Sequence, residues 1–264
     1  MNRPALIIAH PGHELVILGW VEANRPLVTV LTDGSGRGGV SRLPSTLKLL
    51  REAGAGDGDF VEGMTDQQFY AAMLEGNVAL FVDLAVRLGD ELAERCPPYV
   101  AGDAREGFNP THDVGEMIVA AAIARARRSG AIMDHYTFRL FAPHLPSDQG
   151  ICHTLDDEQL RRKIAAAHAY PELAPEVEWA LRGSSPRSLE RYPDMAAIFN
   201  AAIAGMNERS FAIECLSPAG IDAKPGDRPF YELYGERLVA DGRYERAIRY
   251  REHVAPIERA LAAL

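Results

Sequence analysis

The sequence predicts an α/β fold, a Rossmann-like three-layer arrangement with a mainly parallel central sheet and a mostly helical C-terminal extension. Three observations predict it. Residues 5–9 form a short, continuous apolar run, the pattern of a strand buried on both faces. Residues 26–31 repeat that pattern and are closed by Thr32, Asp33 and Gly34. Between them, residues 15–22 carry apolar side chains at helical spacing. Together they make a β-α-β opening, and such units cross over right-handed. The first strand is expected to be central.

The later elements follow in order. Residues 35–43, rich in Gly, Ser and Arg, read as a loop at a cleft rim. Pro44 and Ser45 start a helix over 46–53, broken by Gly54 to Gly58. A long helical pattern runs from Asp66 to about Cys96, divisible near Gly76 and stopped by Pro97 and Pro98. Residues 99–101 suit a short strand. A second long helix spans Pro110 to Arg128, with Ser129 and Gly130 as its stop. Residues 135–141 alternate as a strand does. Residues 155–169 form an amphipathic helix with Asp156 and Asp157 in its first turn. Residues 210–216 suit a strand, and the tail, 228–264, ends in a helix. There is no internal repeat and no low-complexity linker. We therefore expect one domain over 1–264, with a core at 1–170 and an extension at 171–264 packing on it.

Composition bounds the function. A chain of 264 residues, 47% hydrophobic and 25% charged, can bury a full core. A net charge of −9 argues against a nucleic-acid partner, whose phosphates call for a basic face. No apolar stretch reaches membrane-spanning length, and the N-terminal run is too short for a signal peptide. Cys96, Cys152 and Cys215 are odd in number and far apart in sequence. That argues against a disulfide framework and for a reducing, cytoplasmic setting. The tail leaves a homo-oligomer open.

In such sheets function collects at the C-terminal ends of the parallel strands. The first strand runs directly into His10-Pro11-Gly12-His13-Glu14. Imidazole is a common metal ligand, and a strand end followed by a helix start holds two rings rigidly. A third candidate, His112, starts the 110–128 helix just past the 99–101 strand. Histidines in turns also serve as ordinary surface or packing residues. What favours a ligand set is their joint placement at strand ends. Three ligands and an open position describe a catalytic zinc site. Three neutral histidines also suit iron and oxygen chemistry.

These residues resemble the LmbE-like, or PIG-L, superfamily of zinc-dependent N-acetylglucosaminyl deacetylases. The family's first motif, Ala-His-Pro-Asp-Asp-Glu, is matched by Ala9 to Glu14. Its second, His-Pro-Asp-His, is matched by Asn109-Pro110-Thr111-His112. Thr32 to Gly34, Arg42, Asp66 and the Lys163 to His168 stretch match weaker features, so the resemblance spans about residues 4–170. It implies an LmbE-like fold, a small-molecule substrate such as an N-acyl amino sugar, and zinc held by His10, His13 and His112. Arg42, Asp66 and Asn109 would meet the substrate. Glu14 would orient a ligand from behind. Two departures matter. A ligand aspartate is His13 here, and the family's general-base aspartate is Gly12, which cannot accept a proton. Asp33 is the first candidate replacement base and Asp113 the second. The loss of that base also motivates a non-catalytic, sugar-binding alternative.

Other signals carry less. His13-Glu14-Leu15-Val16-Ile17 fails as a His-Glu-x-x-His motif at its fifth residue. Gly34 to Gly39 matches Gly-x-Gly-x-x-Gly but follows the second strand, and Pro44 delays the helix. Cys152 and His153 are adjacent in an extended segment, so their side chains point apart. His135, His144, His168 and His253 have no evident partners.

Overall fold

The computed structural model describes residues 3–36, 38–61, 64–141, 150–220 and 228–264, with 57–61 as backbone. Arg37 and His144 lie outside the described residues. The strands are β1 (Ala5–Ile8), β2 (Leu27–Val30), β3 (Gly56–Val61), β4 (Tyr99–Asp103), β5 (Asp134–Phe138), β6 (Ile151–Thr154) and β7 (Ile213–Pro218). The helices are α1 (Leu18–Asn24), α2 (Leu43–Glu52), α3 (Asp66–Leu74), α4 (Val78–Arg95), α5 (Pro110–Arg128), α6 (Asp157–His168), α7 (Ala174–Arg182), α8 (Pro193–Ala202), α9 (Phe230–Ala240) and α10 (Ala255–Ala262).

Period-two alternation along β1 builds the three layers. Ala5 and Ile7 face one core with Val100, Phe81, Leu88, Ile118 and Ile257, from β4, α4, α5 and α10. Leu6 and Ile8 face the other with Val28, Val30, Trp20, Val21 and Leu50, from β2, α1 and α2. A strand buried on both sides needs a continuous apolar run, and β1 is buried at all four positions. The sheet order is β3-β2-β1-β4-β5-β7-β6. β1 pairs parallel with β2 and β4, so it is interior as expected. β3 and β5 extend the parallel part. β7 then runs antiparallel to both β5 and β6.

The helices through α6 follow the sequence pattern closely, whereas α7, α8 and α9 were not expected. The 66–96 stretch divides at Gly76, whose φ of 68° lets the chain reverse before the Asn77 cap of α4. The stretch expected as a helix from residue 15 begins instead as a 3-10 turn over His13–Ile17 and becomes α-helical at Leu18. Two strands were not expected. β3 reads Gly-Asp-Gly-Asp-Phe-Val, a composition that argues against a strand. β6 is a half-exposed strand at the sheet's other end.

Residues 171–264 do more than cover the core. They supply β7, which links the parallel strands to β6, and α10, which packs on α4 and α5. A buried ion pair ties β7 to the first turn: Lys163 Nζ donates to Glu214 Oε1 (2.8 Å), Val16 O (2.6 Å) and Phe211 O (2.9 Å). Glu214 also accepts the amides of Gly19 and Trp20, which start α1. Its charge is thereby matched on all sides, as burial requires.

The cysteine reading is corrected. Cys152 on β6 and Cys215 on β7 are direct cross-strand partners, with Cα atoms 4.2 Å apart, and form a disulfide. Their sequence separation of 63 hides a proximity that strand register creates. The cysteine argument for a reducing compartment falls with it. Among the described residues, no helix is long and apolar enough to cross a membrane. Alkylation of the denatured, unreduced protein is expected to add one label, at the exposed Cys96; three labels would overturn the pairing.

Candidate metal centre

His10 and His13 sit in the turn that leaves β1. Gly12 between them has φ 103°, a left-handed conformation that glycine adopts without strain, and it starts the 3-10 turn. His112 lies in the first turn of α5, behind the Asn109 cap and Pro110. The strands feeding both segments, β1 and β4, are neighbours, so residues a hundred positions apart meet. The ring centres are 5.4 Å apart for His10–His13, 5.1 Å for His10–His112 and 4.5 Å for His13–His112.

Two of the rings are anchored through Nδ1. His13 Nδ1 is 2.9 Å from both carboxylate oxygens of Asp103, the last residue of β4. Asp103 Oδ2 also accepts the Ala9 amide at 2.7 Å. His10 Nδ1 is 2.7 Å from Thr32 Oγ1, which itself donates to Ala9 O, so the ring nitrogen carries the proton. Asp66 Oδ1 lies 3.1 Å from the same nitrogen. Burial alone would raise the Asp66 pKa, but the His10 ring outweighs it and holds the carboxyl well below the ordinary range. With Nδ1 protonated in both rings, Nε2 is left with its lone pair. His112 is held neutral, because burial and the two neighbouring rings push its pKa far down.

This donor set suits a divalent metal. Three imidazoles around one tetrahedral ion, at ordinary metal–nitrogen distances, place their ring centres about 5 Å apart. Anchoring Nδ1 on a carboxylate is the usual second support for a metal-binding histidine. As they stand, the rings meet edge to face. Among the described residues, no group of three or more His, Cys, Asp or Glu is arranged to hold a metal ion.

The other expected residues divide between cleft and frame. A cleft of about 1300 Å³ opens on the histidines, and Arg42, Asp66 and Asn109 line it. Arg42 is paired with Glu176 at 3.1 Å. Asn109 Oδ1 accepts the Thr111 amide and, at 3.3 Å, the Tyr70 hydroxyl. Asp33 and Asp113, expected as replacement bases, do not line the cleft. Asp33 Oδ1 accepts the amides of Ser35 and Asp66. Asp113 Oδ1 accepts those of Glu106 and Gly107, and burial raises its pKa to about 6. Both carboxylates shape backbone. Glu14 supports the turn itself: it accepts the Gly12 amide (2.8 Å) and the Thr46 hydroxyl (2.6 Å).

Three residues of the site were not read from the sequence. Asp103 stands two residues past the expected end of its strand, at a position where a carboxylate reaches the first motif. Glu106 accepts the amides of Leu140 and Phe141, and Phe141 stacks on His112 with ring centres 6.0 Å apart. Leu173 fills the space over Gly12. A Cβ at position 12 would lie 2.2 Å from Leu173 Cδ1. No sequence signal links Leu173 to the first motif.

A mainly parallel sheet with histidines gathered at its strand ends defines the class: a Rossmann-like α/β fold. The conserved protein TT1542 from Thermus thermophilus is similar at 17% identity and TM-score 0.53, over 84% of this chain and 97% of that one. The A40926 pseudoaglycone deacetylase Dbv21 is similar at 16% identity and TM-score 0.50, over 82% and 96%. A deacetylase of the teicoplanin biosynthesis pathway is similar at 13% and 0.50, over 84% and 100%. At these identities the likeness is one of fold. No protein-family model and no curated protein sequence matches the chain.

Two expectations follow. Gly12→Asp should destabilise the protein by about 2 kcal/mol or more in urea unfolding, from positive-φ strain and overpacking. Adding Leu173→Ala should recover only the packing part; unchanged stability in the single variant would refute the steric reading. Glu106 is pushed up to about 8 by burial, against the amides of Leu140 and Phe141. The folded chain therefore holds a proton that the unfolded chain releases near the ordinary value of 4.5. Stability from this group is full below that value and is lost as pH rises towards about 8. Glu106→Gln should flatten the decline between pH 6 and 8, above the Asp113 titration at about 6.

Proposed function

We propose that the chain is a zinc-dependent hydrolase of the deacetylase type, acting on an N-acyl amino sugar or a related small amide. One observation carries the reading: three imidazoles meet at the strand ends, two of them braced through Nδ1 by Asp103 and by Asp66 with Thr32. The deacetylase descriptions of two proteins that share the fold support it. Zinc held by His10, His13 and His112 would supply Lewis acidity towards an attacking water and the amide carbonyl.

The residues of the chain do the rest. Asp103 and Thr32 fix the proton of each ring on Nδ1, so that Nε2 is the donor. Asp66 is the one of these carboxylates that lines the cleft, beside His10, and the proton-accepting role that Gly12 cannot fill falls to it rather than to Asp33 or Asp113. The Asn109 amide nitrogen donates to the oxygen where charge develops. The net charge of −9 argues against a nucleic-acid substrate.

The test is metal content and amide hydrolysis, measured together. The wild type should bind about one zinc per chain, as expected for a single three-ligand site. His112→Ala should lose both metal and activity. Asp66→Asn should keep the metal and lose about a hundredfold or more in kcat. Wild-type protein that takes up no zinc would overturn the proposal.

A further inference from the structure

The cleft is larger than a simple amino sugar requires, and the surplus is apolar. Small-molecule pockets usually enclose about 300–1000 Å³; this one encloses about 1300 Å³. Its apolar surface begins at the histidines. On one side Leu173 covers Gly12. On the other, Phe141 stacks on His112, Trp179 lies parallel to Phe141 at 6.1 Å, and Phe199 meets Trp179 edge-on at 5.1 Å. Helix α7 completes the chamber: Val177, Ala180 and Leu181, at helical spacing from Leu173, all line the cleft. The charges at this wall are matched to each other, since Arg42 is bonded to Glu176.

We propose that this chamber takes an apolar acyl group of medium length, about eight carbons, carried by the amide substrate and laid along Leu173, Val177 and Trp179. Its amide end then falls beside the three histidines. The amide linkage rests on the hydrolase reading; the chamber does not. Burying one methylene is worth about fourfold in affinity. Six added methylenes, about half of them buried, should then give roughly a hundredfold.

The chain has two tryptophans. Trp20 is buried in the core and Trp179 lines the cleft, so intrinsic fluorescence reports occupancy without any turnover. Zinc-loaded protein would be titrated with N-octanoylglucosamine and with N-acetylglucosamine, and amine release followed in parallel. The expected result is a saturable emission change with the octanoyl compound, at roughly a hundredfold lower Kd than with the acetyl one. Trp179→Phe should abolish the signal. Ala180→Phe, which narrows the chamber, should weaken octanoyl binding at least about tenfold while keeping its melting temperature. Equal affinities, or no saturable change, would overturn the proposal. Tight octanoyl binding without amine release would leave the chamber standing and remove the hydrolase reading. Acetyl hydrolysis without octanoyl preference would do the reverse.

Discussion

The centre depends on one carboxylate. Asp103, 3% exposed, receives the Ala9 amide and the His13 ring at the same time. It therefore joins the ends of two parallel strands and orients a side chain in one contact. The close approach behind it depends on Gly102, where a Cβ would come within 2.8 Å of Ile7 O. A larger residue there would push β4 from β1 and carry Asp103 out of reach of both partners.

Around that contact the buried acids share the work. Asp66 and Asp103 hold rings. Glu14, Asp33, Asp113 and Glu106 each accept backbone amides and so fix the loops from which the rings project. A carboxylate buried without such donors would cost several kcal/mol. Here every one shapes a loop, and the ones turned towards backbone are not free for chemistry. His13 is held in position because Asp103 behind it is committed to structure.

The parallel strands were legible because burial on both faces leaves an unbroken apolar run. The histidines were legible because motif and strand end coincide, and His112 arrives beside His10 through the adjacency of β1 and β4. Proximity to a strand end says nothing, however, about which way a side chain turns, and so Asp33 and Asp113 were read as bases. β3 escaped because glycine and aspartate disguise it. The Cys152–Cys215 pair escaped because it exists only through the β6–β7 register. Leu173 was invisible in another way: it occupies space left by an absent side chain, a relation between two residues that no spacing rule connects.

The same cross-strand bridge has a consequence for how the cleft is built. Cys152 and Cys215 close a covalent ring, and Leu173, Val177, Trp179 and Phe199 all lie within it, as do α6, α7 and α8. The histidines and their aspartates lie outside. The histidines and the α7 side of the wall are thus carried by separate stretches of chain, one open and one looped. Replacing α7 residues within the ring would change what the cleft admits, whereas Lys163 and Glu214, in the same ring, hold the turn that follows the first strand.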